Sequence, residues 1–244
     1  MIKINNLTKK YKDKLAVDNL NLEIKTGELF SLLGTNGAGK TTTIKMLSTL
    51  ILPTSGEVEI NNLDLVKDSS KIKEIINISP QETAVASNLT VLENLYFMAG
   101  IYQIPNKEDK IKELIKLFKL EEVLKQKART LSGGYQRKLS IAISLINNPK
   151  ILFLDEPTQG LDVISRHDLW KIIELLKGKT TIILTTHYME EAEVLSDRIG
   201  IMNKGKLIEL GTSKELIKKT KTKNFEDAFI KIIEEDNNEN TNIC

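Results

Sequence analysis

Eight residues constrain this chain more than any others: Gly34-Thr-Asn-Gly-Ala-Gly-Lys40-Thr41 fits the pattern G-x-x-x-x-G-K-[ST]. The apolar run LFSLL at 29–33 precedes it, and a helical pattern at 39–50 follows. A largely apolar run ending in glycine reads as a buried parallel strand. The segment is therefore strand, tight turn, helix. Glycines let the backbone bend sharply and approach a ligand without a Cβ in the way. The unpaired N–H groups and the dipole of the helix start attract an anion. Gly34, Asn36, Gly37, Ala38 and Gly39 would form a phosphate cradle, with Thr42 on the first helical turn. Lys40 would reach the β- and γ-phosphates, and the Thr41 hydroxyl would ligate Mg2+.

The rest of the chain reads as a frame for that turn. Residues 1–24 alternate apolar and polar, as in Ile2/Ile4 and Leu20/Leu22/Ile24, which predicts short antiparallel strands. Further buried strands are predicted at 151–154 (ILFL) and 181–184 (TIIL), with helical patterns at about 162–176 and 188–195. Strands alternating with helices imply an α/β fold around a mostly parallel sheet. From Leu92 to about Asn147 no strand is read, and TVLENLYFMAGIY, DKIKELIKLFKL and the run after Ser132 show helical spacing, so a helical block is inserted in that core. Asn147-Asn148-Pro149 ends it, because proline stops a helix. The segment NFEDAFIKII suggests an amphipathic turn or two, and EEDNNENTNIC is expected to be disordered.

Composition enters by what it excludes. With 35 basic and 33 acidic residues, the net charge of +2 provides neither a nucleic-acid footprint nor a polybasic membrane patch. The one cysteine, Cys244, allows no internal disulfide and no cysteine-rich metal site. No apolar run approaches the roughly 18–20 residues that span a bilayer. No secretory signal is read at the start, so a cytosolic location is the expectation.

Two further motifs carry chemistry. ILFLDEP puts Asp155 and Glu156 at the carboxyl end of a buried strand, where open α/β sheets bind ligands. Asp155 could hold Mg2+ through water, and Glu156 could polarise an attacking water. Taken alone, the pair equally suits the cap of a helix beginning after Pro157. Beside a phosphate cradle, the nucleotide reading prevails. Leu131-Ser132-Gly133-Gly134-Tyr135-Gln136 opens a helix at about 135–147, with Ser132 a natural N-cap. A second anion-binding helix start beside the first suggests a second ligand or a site completed by a second subunit.

The phosphate loop, LSGGYQRKL and ILFLDEPTQGLD, in that order and spacing, resemble the ATP-binding subunit of an ABC transporter over about residues 2–215. The resemblance implies a P-loop NTPase of the ABC ATPase type. Its domain would span 1–215, with an N-terminal antiparallel β subdomain and a helical subdomain at about 82–148, and 216–244 as a C-terminal extension. It matches Tyr11 to the aromatic that stacks on adenine, with Val17 nearby on the same face. It matches Gln81, after a short strand at about 75–79, to a catalytic and metal-binding glutamine. Gly160-Leu161-Asp162 matches the loop that meets the partner, and His187 the histidine that positions γ-phosphate and water. Glu156 becomes the general base. His167 matches nothing and reads as surface. Thr35 stands where proline is usual, and no ligand group is lost by it.

The resemblance further implies two subunits paired head to tail, most simply a homodimer. Each ATP would lie between one phosphate loop and the other subunit's Ser132, Gly133 and Gly134. The pore would be a separate membrane permease, and the chain would sit peripherally on the cytoplasmic face of the membrane. Permease contacts are expected around 82–100, with Leu89, Val91, Leu95 and Phe97 each either lining a groove there or packing in the core of the helical block. SRHDLWKII and NFEDAFIKI look like the ATPases of bacterial drug, antibiotic or lipid exporters. The alternative is a pore-free ABC ATPase of translation or DNA repair, which the single domain, the lack of a heptad run and the near-neutral charge disfavour.

Overall fold

A computed structural model describes residues 1–241, and the side chains of residues 1–238. The alternating N-terminal segments form a hairpin. Strand β1 (Ile2–Tyr11) pairs antiparallel with β2 (Lys14–Ile24), from Ile2 opposite Ile24 to Tyr11 opposite Lys14. Ile2, Ile4, Leu20, Leu22 and Ile24 all point inward. Strand β3 (Leu29–Gly34) is buried along its whole length, and helix α1 (Lys40–Leu47) follows the glycine turn. Strands β4 (Ser55–Ile60) and β5 (Leu63–Asp64) extend the hairpin into a four-stranded sheet ordered β2-β1-β4-β5. These two strands carry few apolar residues. In β4 only Val58 and Ile60 are buried, which leaves a weak alternation in the sequence.

After α2 (Ser69–Ile75) and β6 (Ile76–Ser79) comes the helical block. It comprises α3 (Val91–Ile101), α4 (Lys107–Phe118) and α5 (Gly133–Ser144). The chain then returns through β7 (Ile151–Asp155), α6 (Val163–Leu176), β8 (Thr181–Thr186) and α7 (Met189–Leu195). Strands β9 (Arg198–Asn203) and β10 (Lys206–Gly211) complete the second sheet, ordered β10-β9-β3-β8-β7-β6. All its neighbours pair parallel except β9 with β10. The mostly parallel core sheet is as expected, with one antiparallel edge added.

The register decides where chemistry collects. Leu33 lies opposite Thr186, Asp155 opposite Thr185, and Ser79 opposite Leu154. The carboxyl ends of β3, β6, β7 and β8 therefore share one edge of the sheet, and the loops that leave them meet there. On one face, Leu29, Leu152, Leu154, Ile182 and Leu184 form a single core with Leu95, Leu114, Phe118, Leu139 and Trp170, so the helical block packs directly on the sheet. Phe30, Leu32, Phe153 and Ile183 face the other way, toward α1 and the N-terminal hairpin.

The C-terminal segment corrects the expectation of disorder. Helix α8 (Ser213–Thr220) has a complete capping box, Thr212 with Glu215. Helix α9 runs from Phe225 to Thr241, taking in most of the acidic stretch. Phe225, Ala228 and Ile232 bury against Leu33, Ala192, Ile199, Ile201 and Leu216. An apolar stripe of that spacing gives a helix a face to dock, and docking carries the polar continuation with it. Residues 242–244 of the expected disordered run, Cys244 among them, lie outside the described residues. Among the described residues, no helix is long and apolar enough to cross a membrane.

Candidate active site

A cavity of about 310 Å3 opens at the shared strand edge, lined by Lys14, Ala16, residues 36–42, Gln81, Glu156 and Gln159. The glycine turn forms its floor. Gly39 caps α1 with φ +106°, and a Cβ there would lie 2.5 Å from the Ala16 carbonyl oxygen, so this position admits glycine alone. Ala38 and Gly37 complete the turn, and Thr42 lines the wall on the first turn of α1.

Lys40 is almost wholly buried. Its ammonium donates to the carbonyls of Gly34 (2.8 Å) and Thr35 (3.1 Å) and lies 3.7 Å from Glu156 Oε1. Burial lowers its pKa from the ordinary value, while the carboxylates of Glu156 and Asp155 work against that. The Thr41 hydroxyl donates to Asp155 Oδ1 at 3.1 Å, and Thr185 donates to the same oxygen. A hydroxyl and a carboxylate facing each other are the hard oxygen donors that a small divalent cation takes. Thr41 and Asp155 thus fit the Mg2+ assignment. Among the described residues no group of three or more His, Cys, Asp or Glu forms a metal site, so the remaining ligands would come from Gln81, which lines the same cavity, and from water or phosphate.

Glu156 follows β7 in a left-handed backbone, φ +47°. Its N–H is held by Thr185, through both the carbonyl (3.0 Å) and the hydroxyl (3.1 Å). That pins a conformation a non-glycine residue rarely adopts, as is common where a side chain must be aimed. The carboxylate points between two partners, Lys40 and His187, whose Nδ1 lies 3.0 Å from Oε2. Lys40, Thr41, Asp155, Glu156 and His187, far apart in sequence, are thereby joined by direct contacts. Gln81 is exposed at the cavity wall, its amide donating to Gln159.

Three residues outside the expected set hold these groups. Arg137, in the helix that Ser132 opens, donates to the carbonyls of Pro80 (2.7 Å) and Gln81, and so fixes the glutamine loop. Burial lowers the pKa of its guanidinium from the ordinary value, with Asp155 and Glu191 opposing. Thr185 orients Asp155, and Gln159 orients Gln81. The sequence carried no signal for these roles, since each depends on two strands or loops lying side by side.

The remaining expected residues sit elsewhere. Tyr11 is half-exposed at the hairpin end, opposite Lys14, which does line the cavity, and Lys9 lies over its ring at 5.1 Å. Val17 corrects the expectation that it shares a face with Tyr11. It is fully buried in the core beneath the hairpin, and register shifts in the β1–β2 pairing come between the two positions. Its neighbour Ala16 faces the cavity instead. Ser132, which caps α5 through the Tyr135 N–H, and Gly133 are exposed, and with Gly134 they lie outside this cavity. A methyl group on Gly134 would meet the Ser165 hydroxyl at 2.8 Å. His167 is exposed, as expected.

The groove expected around 82–100 is present, at about 690 Å3, lined by Thr90, Leu92, Glu93, Tyr96, Phe97, Leu124 and Lys125. Phe97 lines it. Val91 and Leu95 do not, because one face of α3 turns them, with Ala99, into the core. Leu89 is half-buried and outside the groove, and Leu92 and Tyr96 take the outer face instead.

Comparison with known proteins bears on the family and the fold. The ABC transporter family model matches residues 17–159, more than half of the chain. The chain belongs to the ABC transporter family. It is similar to the human phospholipid-transporting ATPase ABCA3, 44% identical over 218 residues, which cover 87% of this chain and 13% of that protein. It is also similar to the linearmycin resistance ATP-binding protein LnrL of Bacillus subtilis, 41% identical over 219 residues, 88% of this chain and 70% of that one. The chain thus spans a small part of the human relative and over two thirds of the bacterial one. Among solved structures, it superposes with a TM-score of 0.79 on the ATP-binding cassette MJ0796, dimeric and bound to ADP and Pi, at 30% identity over 87% of this chain and 98% of that one. The fold described above is accordingly that of an ABC ATPase.

Proposed function

We propose that the chain is the ATP-hydrolysing motor of an ABC transporter. It binds Mg-ATP at a head-to-tail dimer interface and drives a separate membrane permease. The observation that carries this reading is the set of contacts Thr41–Asp155, Lys40–Glu156 and Glu156–His187, which gathers these five residues at the strand edge beside the cavity. The phosphates would lie on the N-terminus of α1 with Lys40 against them. Thr41 and Asp155, with Gln81 nearby, would hold Mg2+, which spreads the charge of the phosphates when bound. Glu156 accepts the proton of the attacking water, and His187, hydrogen-bonded to it, holds the γ-phosphate and water in line. Tyr11, at the mouth beside Lys14, would stack on adenine.

The cradle receives ATP from one side only. The exposed Ser132 and Gly133 form a second helix start facing outward, and Val163 and Ile164 are exposed beside the 160–162 turn. These surfaces suit a second copy that completes each site. The groove at Tyr96 and Phe97 is the place for a permease segment, which would hold the chain on the cytoplasmic face of the membrane. The likeness to a phospholipid-transporting ATPase and to an antibiotic-resistance protein supports export, of a lipid or an apolar drug-like compound.

The test is co-purification of the tagged chain from its own cells in mild detergent, with ATPase assay of the product. A stoichiometric multi-span membrane protein, with turnover abolished by Lys40→Ala, is the expected result. Ribosomal or DNA-repair proteins in place of a permease would overturn it.

A further inference from the structure

We propose that Glu191 is a positioning residue for hydrolysis, its buried side chain tying the loop that carries His187 to the loop that carries Glu156. The proposal rests on the reading of those two residues as the hydrolytic pair. Glu191 lies on α7, four residues after His187, and has no exposed surface. Its Oε1 accepts two hydrogen bonds, from the Thr158 hydroxyl (2.7 Å) and from the Trp170 indole N–H (2.9 Å). Thr158 stands two residues after Glu156 in the same loop, and Trp170 lies on α6, which begins just after the 160–162 turn. One carboxyl group thus joins α7, which follows β8, to the loop and the helix that follow β7.

The chemistry of the position argues for a tie and against simple packing. Burying a carboxyl is costly, and an apolar side chain would fill the same space without orphaning an atom. Here Oε2 is buried and makes no hydrogen bond among the described residues. Burial pushes the carboxyl up from its ordinary value, against the opposing influence of Thr186, Thr158, Trp170 and Arg166. What the carboxyl supplies is an acceptor for two donors at once. Helix α7 has seven residues and starts two positions after His187, so anchoring its first turn sets where the imidazole stands. The direct contact of His187 with Glu156 is the front of this arrangement, and the Glu191–Thr158 bond is its back.

The experiment measures ATPase kinetics of the full chain with its permease for Glu191→Ala, Glu191→Gln and Thr158→Val, beside Glu156→Gln and His187→Ala. A misplacement of the order of 1 Å costs about a hundredfold in rate. Glu191→Ala is therefore expected to lower kcat by about 10- to 100-fold while KM for ATP stays within about threefold, since the phosphate cradle is untouched. Glu191→Gln keeps the oxygen that accepts from Thr158 and Trp170, and is expected to restore kcat to within about threefold. Trp170 is the single tryptophan, so its emission shifts in Glu191→Ala and not in Glu191→Gln.

Parental kcat in Glu191→Ala, equal losses in the Ala and Gln variants, or a loss carried by KM would each overturn the proposal. Should Glu191→Ala fail to fold, Thr158→Val decides. A kcat lowered at constant KM supports the tie, and a parental kcat overturns it. If Glu156→Gln and His187→Ala hydrolyse ATP like the parent, the hydrolytic pair itself is wrong and the proposal falls with it. If those two are inactive and Glu191→Ala is parental, the tie alone fails.

Discussion

At Gly34 a methyl group would lie 2.4 Å from the carbonyl oxygen of Met202 and 3.1 Å from the Ala38 side chain. The obstacle is the backbone of β9, paired to β3 at that point, so neither strand can step aside. Gly34→Ala is expected to destabilise the fold by about 1–3 kcal/mol, read as a lower urea midpoint. An unchanged midpoint would mean that the strand ends are looser than their register implies. Glu191 sets a different residue-scale expectation. Its pKa is raised from the ordinary 4.5, so the folded chain keeps a proton that the unfolded chain has released. No pH-dependent loss arises below that value. Above it, stability falls as pH rises toward the raised value. Glu191→Gln removes this titration. The melting temperature of the variant relative to the parent should therefore climb as the pH rises above about 4.5. A constant difference across that range would show that the carboxyl is ionised in the fold.

Helix α5 shows how one element serves two places. Ser132 at its start faces outward, while Arg137, a turn further along, reaches back to hold the carbonyls of Pro80 and Gln81. The helix therefore couples the exposed glycine motif to the loop that presents Gln81. Arg137→Ala leaves two carbonyls without their charged donor. It is expected to cost about 2–4 kcal/mol and to lower the melting temperature by several degrees. Lysine cannot reproduce the fork and should recover only part of that loss. Full recovery by Arg137→Lys would show that a point charge, and not the paired donors, holds the loop.

Across the whole molecule, one copy presents a cradle on one side and the Ser132 helix start on another. The proposed dimer follows from that separation. Glu156→Gln with Mg-ATP is expected to double the apparent mass by light scattering, because the interface closes and turnover does not reopen it. Adding Ser132→Arg should restore the monomer mass while nucleotide affinity stays within about threefold, as the cradle lies in the other subunit. A Glu156→Gln chain that stays monomeric would show that closure needs the permease. Loss of affinity in Ser132→Arg would mean that this loop acts within its own subunit.

Much of this protein was legible in its residues because local rules fix them. The phosphate turn needs glycine for steric reasons, the buried strands LFSLL, ILFL and TIIL show as mainly apolar runs, and the helical block shows in its spacing. Asp155 and Glu156 were legible because they end a buried strand, and His187 was reached through the family resemblance. What the sequence left open depends on the partners an element finds. Val17 was placed toward the nucleotide and Val91 was left between a permease groove and the core, and strand register and helix phase turn both into the core. The acidic C-terminal run looked disordered, and it is helical because Phe225, Ala228 and Ile232 dock on Leu33 and Ala192. Arg137, Thr185 and Glu191 acquire their roles from residues tens of positions away. Hydrogen bonds between distant segments leave no local pattern, so the motifs name the chemistry and the tertiary structure decides which side chains hold it in place.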